Sequence, residues 1–139
     1  CVHMVRSGKC ELGDACDYCH HPHSIRNRLD SRQRALCHTM PQAQFLGLVI
    51  ELMEEPLRGF PCSAAEHLRR ALHEELENAR KEATGEEEPL TGPVRKLMKV
   101  LSRMNLAALV SCAARRCGGE GQSRILNALE GLRAQVAKP

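Results

Sequence analysis

Apolar residues recur at helical spacing from about position 41 onward, whereas residues 1–23 show neither a helical nor a strand period. Phe45, Leu46, Leu48, Val49, Leu52 and Met53 form a wide apolar face. They predict a helix with Pro41 in its first turn, where the missing N–H would be unpaired anyway, and with its end near Pro56. After a connector, Leu57–Cys62, the pair Ser63 and Glu66 has the form of a capping box. Ala65, Leu68, Leu72, Leu76 and Ala79 carry the helix that follows to about Thr84. A polar loop, Gly85–Gly92, holds a glutamate run at 86–88 and Pro89. Pro93 then opens a third long helix through Val94, Leu97, Met98, Leu101, Leu106, Leu109 and Val110, with a break near Ser102–Asn105 and a stop at Gly118 and Gly119. A last helix starts at about Gln122 and carries Ile125, Leu126, Leu129, Leu132 and Val136. Ser24 to about His38 reads as a linker or short basic helix with Ile25, Leu29 and Leu36 roughly on one side. The expected organisation is a small irregular segment at 1–23, a basic linker or short helix at 24–40, and an all-α domain of about four antiparallel helices at 41–139.

Composition narrows the class. Phe45, Phe60 and Tyr18 are the only aromatics, so a core must be built from aliphatic side chains and Met, which suits packed helices better than a sandwich. A chain of 139 residues suffices for one ordinary core, or for a small module on a modest domain. A first residue of Cys reads as a piece of something longer. The longest apolar stretch, around Phe45 to Met53, is far too short to span a bilayer, and nothing resembles a signal peptide; no membrane role is expected. Charge is segregated: residues 1–38 carry net +2, 39–90 net −6 and 91–139 net +7. Such asymmetry can create a basic surface on a chain whose total is only +3.

The eight cysteines are unevenly spread: four fall within Cys1–Cys19 among histidines, while Cys37, Cys62, Cys112 and Cys117 lie scattered in helix-like sequence. A tight Cys/His cluster is the pattern of a metal site rather than of a disulfide framework, and it suits a reducing, intracellular compartment, nucleus or cytoplasm. Residues 1–23 cannot bury an apolar core unaided and need a staple. Cys1, Cys10, Cys16 and His20 are separated by eight, five and three residues. Three thiolates and one imidazole satisfy tetrahedral Zn2+ as a closed structural site with no open position for a reactive water. Cys19, His21 and His23 crowd the fourth position, with Cys19 as a competing thiol.

This segment closely resembles the CCCH zinc-finger family over residues 1–20. Gly8 before the second ligand, Gly13 midway to the third and Tyr18 two residues after the third agree with the family as well. The resemblance makes the expected fold a small irregular zinc finger followed by the helical domain. It implies binding of single-stranded RNA, with aromatic rings between bases and backbone groups reading base edges. Tyr18 stands at one stacking position. His3 and Leu12 occupy places that are commonly aromatic, which implies weak or degenerate binding. Arg6, Lys9, Arg26 and Arg28 are the expected phosphate contacts.

Other candidates read more plainly. Cys112 and Cys117 do not share a helix face well, and a second metal site made from them with Cys37, His38 or Cys62 lacks any usual zinc spacing. His67 and His73 are expected in solvent, and Glu66, Glu74, Glu75 and Glu77 on an exposed, solubilising face with Arg69, Arg70, Arg80 and Lys81. Arg95, Lys96, Lys99, Arg103, Arg115 and Arg116 form a basic cluster, either a solvated face or an extension of an RNA path. No Walker loop, dinucleotide-binding glycine pattern, nucleophile elbow or zinc-protease helix occurs, so neither an enzyme nor a small-molecule substrate is expected. The leading expectation is a zinc-dependent RNA-binding protein whose helical domain mediates protein contacts. The alternative is a zinc-stapled helical scaffold for protein assembly without RNA.

Overall fold

The computed structural model describes residues 29–60, 63–83 and 91–136. They form six helices, α1 Ser31–Thr39, α2 Gln42–Arg58, α3 Ser63–Glu82, α4 Gly92–Leu101, α5 Leu106–Cys117 and α6 Gly119–Val136, with no strand among the described residues. The all-helical expectation holds for this part of the chain, with six helices rather than about four. Two features account for the difference. Part of the expected basic linker is the short helix α1, and the break expected after Leu101 divides the third long helix into α4 and α5.

Each boundary has a local cause. Asp30 caps α1 through a reciprocal capping box: its Oδ1 accepts from the Gln33 backbone N at 2.7 Å, and Gln33 Oε1 accepts from the Asp30 backbone N at 2.9 Å. Pro41 occupies the N-cap of α2. That helix ends close to Pro56, as expected, but runs two residues past it to Arg58, with Gly59 as its C-cap. A proline inside a helix forfeits one backbone bond. Here the proline lies within the last turn, and continuing the helix drives Leu57 into the core at 1% exposure. Ser63 is the first residue of α3, and its hydroxyl accepts from Gln135 Nε2 of α6 at 3.3 Å. Asn105 caps α5, its side chain accepting from the Ala108 backbone N at 2.8 Å. Gly118, at φ 66°, turns the chain between α5 and α6 in a single residue, so α6 begins at Gly119, ahead of the expected Gln122.

The four longer helices close into a ring: α2 packs on α3 and α5, and α6 packs on the same two. Arg124 of α6 reaches Glu74 of α3 while Gln135 reaches Ser63, so α3 and α6 run antiparallel. The core holds Phe45, Leu46, Val49 and Met53 from α2, Leu68 and Leu72 from α3, Leu109 and Val110 from α5, and Ile125 from α6. Helix α4 joins it through Val94, Leu97 and Leu101. No described helix is long and apolar enough to cross a membrane.

Candidate functional site

The ligand set read from the sequence, Cys1, Cys10, Cys16 and His20, lies outside the described residues, as do Tyr18, His3, Arg6, Lys9, Arg26 and Arg28, and the competing Cys19, His21 and His23. What the structure places is the helical body to which that segment is joined, and three polar arrangements on it.

The first ties α1 to the bundle. Arg116, in the last turn of α5, donates from Nη1 to the His38 carbonyl at 2.9 Å and from Nη2 to the Met40 carbonyl at 2.6 Å. Its guanidinium also lies over the Phe45 ring, 5.9 Å from the centroid. These carbonyls belong to the α1 terminus, where the helix leaves acceptors without backbone partners and a fork-shaped cation can satisfy two at once. Sequence reading counted Arg116 with the exposed basic cluster; instead it is half-buried and structural. Around it stand Cys37, Cys112 and Cys117, all free thiols. Burial, reinforced by the neighbouring Cys112 and opposed by Arg116, pushes the Cys37 thiol up to about 11. Burial and the nearby Glu75 carboxylate push Cys117 to about 11, against a hydrogen bond with Gln42 and the Arg116 charge. Both thiols are therefore protonated at neutral pH, poor as nucleophiles and as metal ligands. Among the described residues no group of three or more Cys, His, Asp or Glu side chains is placed to hold a metal ion.

The second arrangement corrects another expectation. Glu75, read as part of the exposed acidic face, is buried at 8% exposure. It packs over the first turn of α6, where a β-carbon at Gly121 would collide with its carboxylate, and its Oε1 is paired with Arg124 Nη1 at 3.5 Å. Arg124 Nη1 also holds Glu74 at 2.9 Å. The positive end of the α6 dipole favours a carboxylate here. The sequence did carry a signal: Glu75 follows Leu72 by three positions and Leu68 by seven, which sets it on the buried stripe. Glu66, Glu74, Glu77, His67 and His73 are exposed as expected. Beside them an open groove of about 420 Å³ sets Arg70, His73, Lys81 and Arg124 against Glu74 and Glu77, a surface of mixed sign.

The third is what remains of the basic cluster. Arg95, Lys96, Lys99 and Arg103 are exposed on α4 and the turn after it. Arg115 folds back along its own helix, Nε donating to the Ser111 carbonyl at 3.2 Å and Nη2 lying 3.8 Å from Cys112 Sγ. The six residues grouped by sequence thus divide between the two ends of α5. No family model matches the chain, and no similar curated protein or solved structure is found.

Proposed function

We propose that this chain is a zinc-dependent module for single-stranded RNA, in which residues 1–20 form the contact and the helical bundle is the rigid body that carries them. The observation that carries the reading is the spacing of Cys1, Cys10, Cys16 and His20, together with Gly8, Gly13 and Tyr18. Three thiolates and an imidazole suit a closed structural Zn2+ site, and bound zinc supplies the fold that a segment this poor in apolar residues lacks. Tyr18 then offers a ring to a base, while His3, Arg6, Lys9, Arg26 and Arg28 contribute weaker stacking and phosphate contacts. Every Leu, Ile, Val, Met and Phe whose side chain is described is buried or half-buried, which favours a polar ligand over a hydrophobic protein contact.

Zinc analysis and titration of an unstructured RNA test the reading together. His20→Ala is expected to abolish stoichiometric zinc, and Cys19→Ser to leave it intact. Tyr18→Ala is expected to retain zinc and lose roughly five- to hundredfold in affinity, as removal of one base–ring stack of about 1–3 kcal/mol implies. Zinc retained by His20→Ala would reassign the ligand set, and RNA affinity indifferent to Tyr18→Ala would end the stacking role.

A further inference from the structure

Helix α4 has two faces. At about 100° per residue, Arg95, Lys96 and Lys99 fall within one arc of roughly 100°. Val94, Leu97 and Leu101 lie on the opposite side and are buried at 5%, 0% and 0% exposure. The basic side chains are exposed, and Arg95, Lys96 and Lys99 form no ion pair with any described residue. Arg58, Arg80, Arg124 and Arg133 each have a glutamate within 4 Å, whereas Arg70 and Lys81 of α3, like the α4 row, have none among the described residues. Arg103, exposed in the turn after the helix, extends the positive row. Residues four apart on a helix advance by about 6 Å, so Arg95 and Lys99 offer two cations along one line.

We propose that this outward face of α4, with Arg95, Lys96 and Lys99 as its centre, binds the phosphate backbone of single-stranded RNA as a sequence-independent second contact. The proposal rests on the RNA reading above. The face is a site in its own right. Arg116 anchors the end of α1 at the C-terminal turn of α5, whereas α4 is joined to the N-terminal end of α5. The 12 residues of α5 separate these points by about 16–18 Å. The α4 face is thus separate from the Arg116 clasp on the C-terminal end of α1. The chemistry fits phosphate better than the alternatives. An interfacial membrane helix must have its apolar face free to insert, and that of α4 is consumed in the core. A stable protein contact needs a desolvated apolar centre, and the residues flanking the row, Met98 and Val100, are themselves half-buried. Three neighbouring cations, Arg95, Lys96 and Lys99, with no ion pair among the described residues and no apolar anchor are the composition of backbone binding.

The test uses the full, zinc-loaded chain, a twenty-nucleotide oligouridine and a range of salt concentrations. Each lost phosphate contact lowers the salt slope by about 0.7. The triple variant Arg95→Gln/Lys96→Gln/Lys99→Gln is thus expected to reduce the slope by about 2 and the affinity roughly ten- to hundredfold at 0.1 M salt. Its circular dichroism and melting should be unchanged, because all three side chains are exposed. A matched triple on other helices, Arg58→Gln/Arg70→Gln/Lys81→Gln, removes the same charge and should change the slope little. A wild-type chain that binds RNA while the α4 triple retains full affinity and slope overturns the second contact and leaves the finger reading standing. Equal losses in both triples overturn it too, by reducing the effect to net charge. A wild-type chain that ignores RNA but binds phosphatidylserine vesicles through the same three residues overturns both readings.

Discussion

Arg116 shows how much one side chain can hold together. It satisfies two carbonyls at the end of α1, lies over the ring of the buried Phe45, and stands beside Cys37 and Cys117. Arg116→Ala leaves the His38 and Met40 carbonyls without this donor and is expected to cost about 2–4 kcal/mol, below the sum of two charged hydrogen bonds at roughly 1.5–3 kcal/mol each because the His38 contact is exposed to water. Arg116→Lys should recover only part of this, because an ammonium cannot fork across both carbonyls. Urea unfolding of the two variants reads the difference, and a loss below about 0.5 kcal/mol for the alanine variant would remove Arg116 from the architecture. The thiols give a pH signature. Cys37 and Cys117 titrate near 11 in the fold against an ordinary value of 9.0, so between these values the folded chain keeps protons that the unfolded chain has released. Stability contributed by the protonated thiols is complete below pH 9 and falls as pH rises toward 11. Denaturation midpoints of wild type and Cys37→Ala/Cys117→Ala, compared at pH 8 and pH 10.5, are expected to converge as the wild type loses this term. An unchanged gap would refute it.

Between elements, the contact of α3 with α6 depends on the absence of a side chain at Gly121, because the buried Glu75 carboxylate occupies that space. Gly121→Val forces Glu75 out of its place beside Arg124 and is expected to cost roughly 1–3 kcal/mol, the usual range for overpacking. Added to Glu75→Ala, the same change should cost clearly less. A double-mutant cycle with no coupling would show that the two positions do not compete for space. This pair marks the boundary of what sequence reveals. Apolar period made α2, α3, α5 and α6 legible, and Asn105 and Gly118 end or begin helices for reasons that local chemistry explains. Pro56 marks the end of α2 to within two residues; the overrun follows because the penalty of a proline is local while the gain from burying Leu57 is tertiary. The spacing from Leu68 and Leu72 sets Glu75 on the buried stripe, but what makes a carboxylate tolerable there, Gly121 and Arg124, lies more than forty positions away along the chain. The six-member basic cluster was a grouping by sequence proximity. Folding assigns Arg116 to the core's edge and Arg115 to its own helix, and leaves the α4 row exposed.

At the scale of the whole molecule, the apolar core runs from Cys37 to Leu132 and draws on α1 through α6, so the helices carry their own source of stability. The Cys/His segment has the opposite character, with four cysteines, four histidines and only Val2, Met4, Val5, Leu12 and Tyr18 as larger apolar side chains within residues 1–23, without helical or strand period. If residues 1–20 hold zinc as proposed, segment and bundle should respond differently to loss of the metal. A chelator, or Cys1→Ser with Cys10→Ser, is expected to leave the helical circular dichroism and the urea midpoint of the bundle within about 0.5 kcal/mol of the untreated chain, the usual spread for changes outside a core. RNA affinity should nevertheless fall, and the binding that survives should be the salt-sensitive part, dependent on Arg95, Lys96 and Lys99 and indifferent to Tyr18→Ala. Loss of the helical signal on chelation would show that metal and core form one cooperative unit. In that case Arg116, which fixes the α1 terminus to the bundle, is the residue through which their coupling would run, and Arg116→Ala should weaken zinc binding as well as the fold.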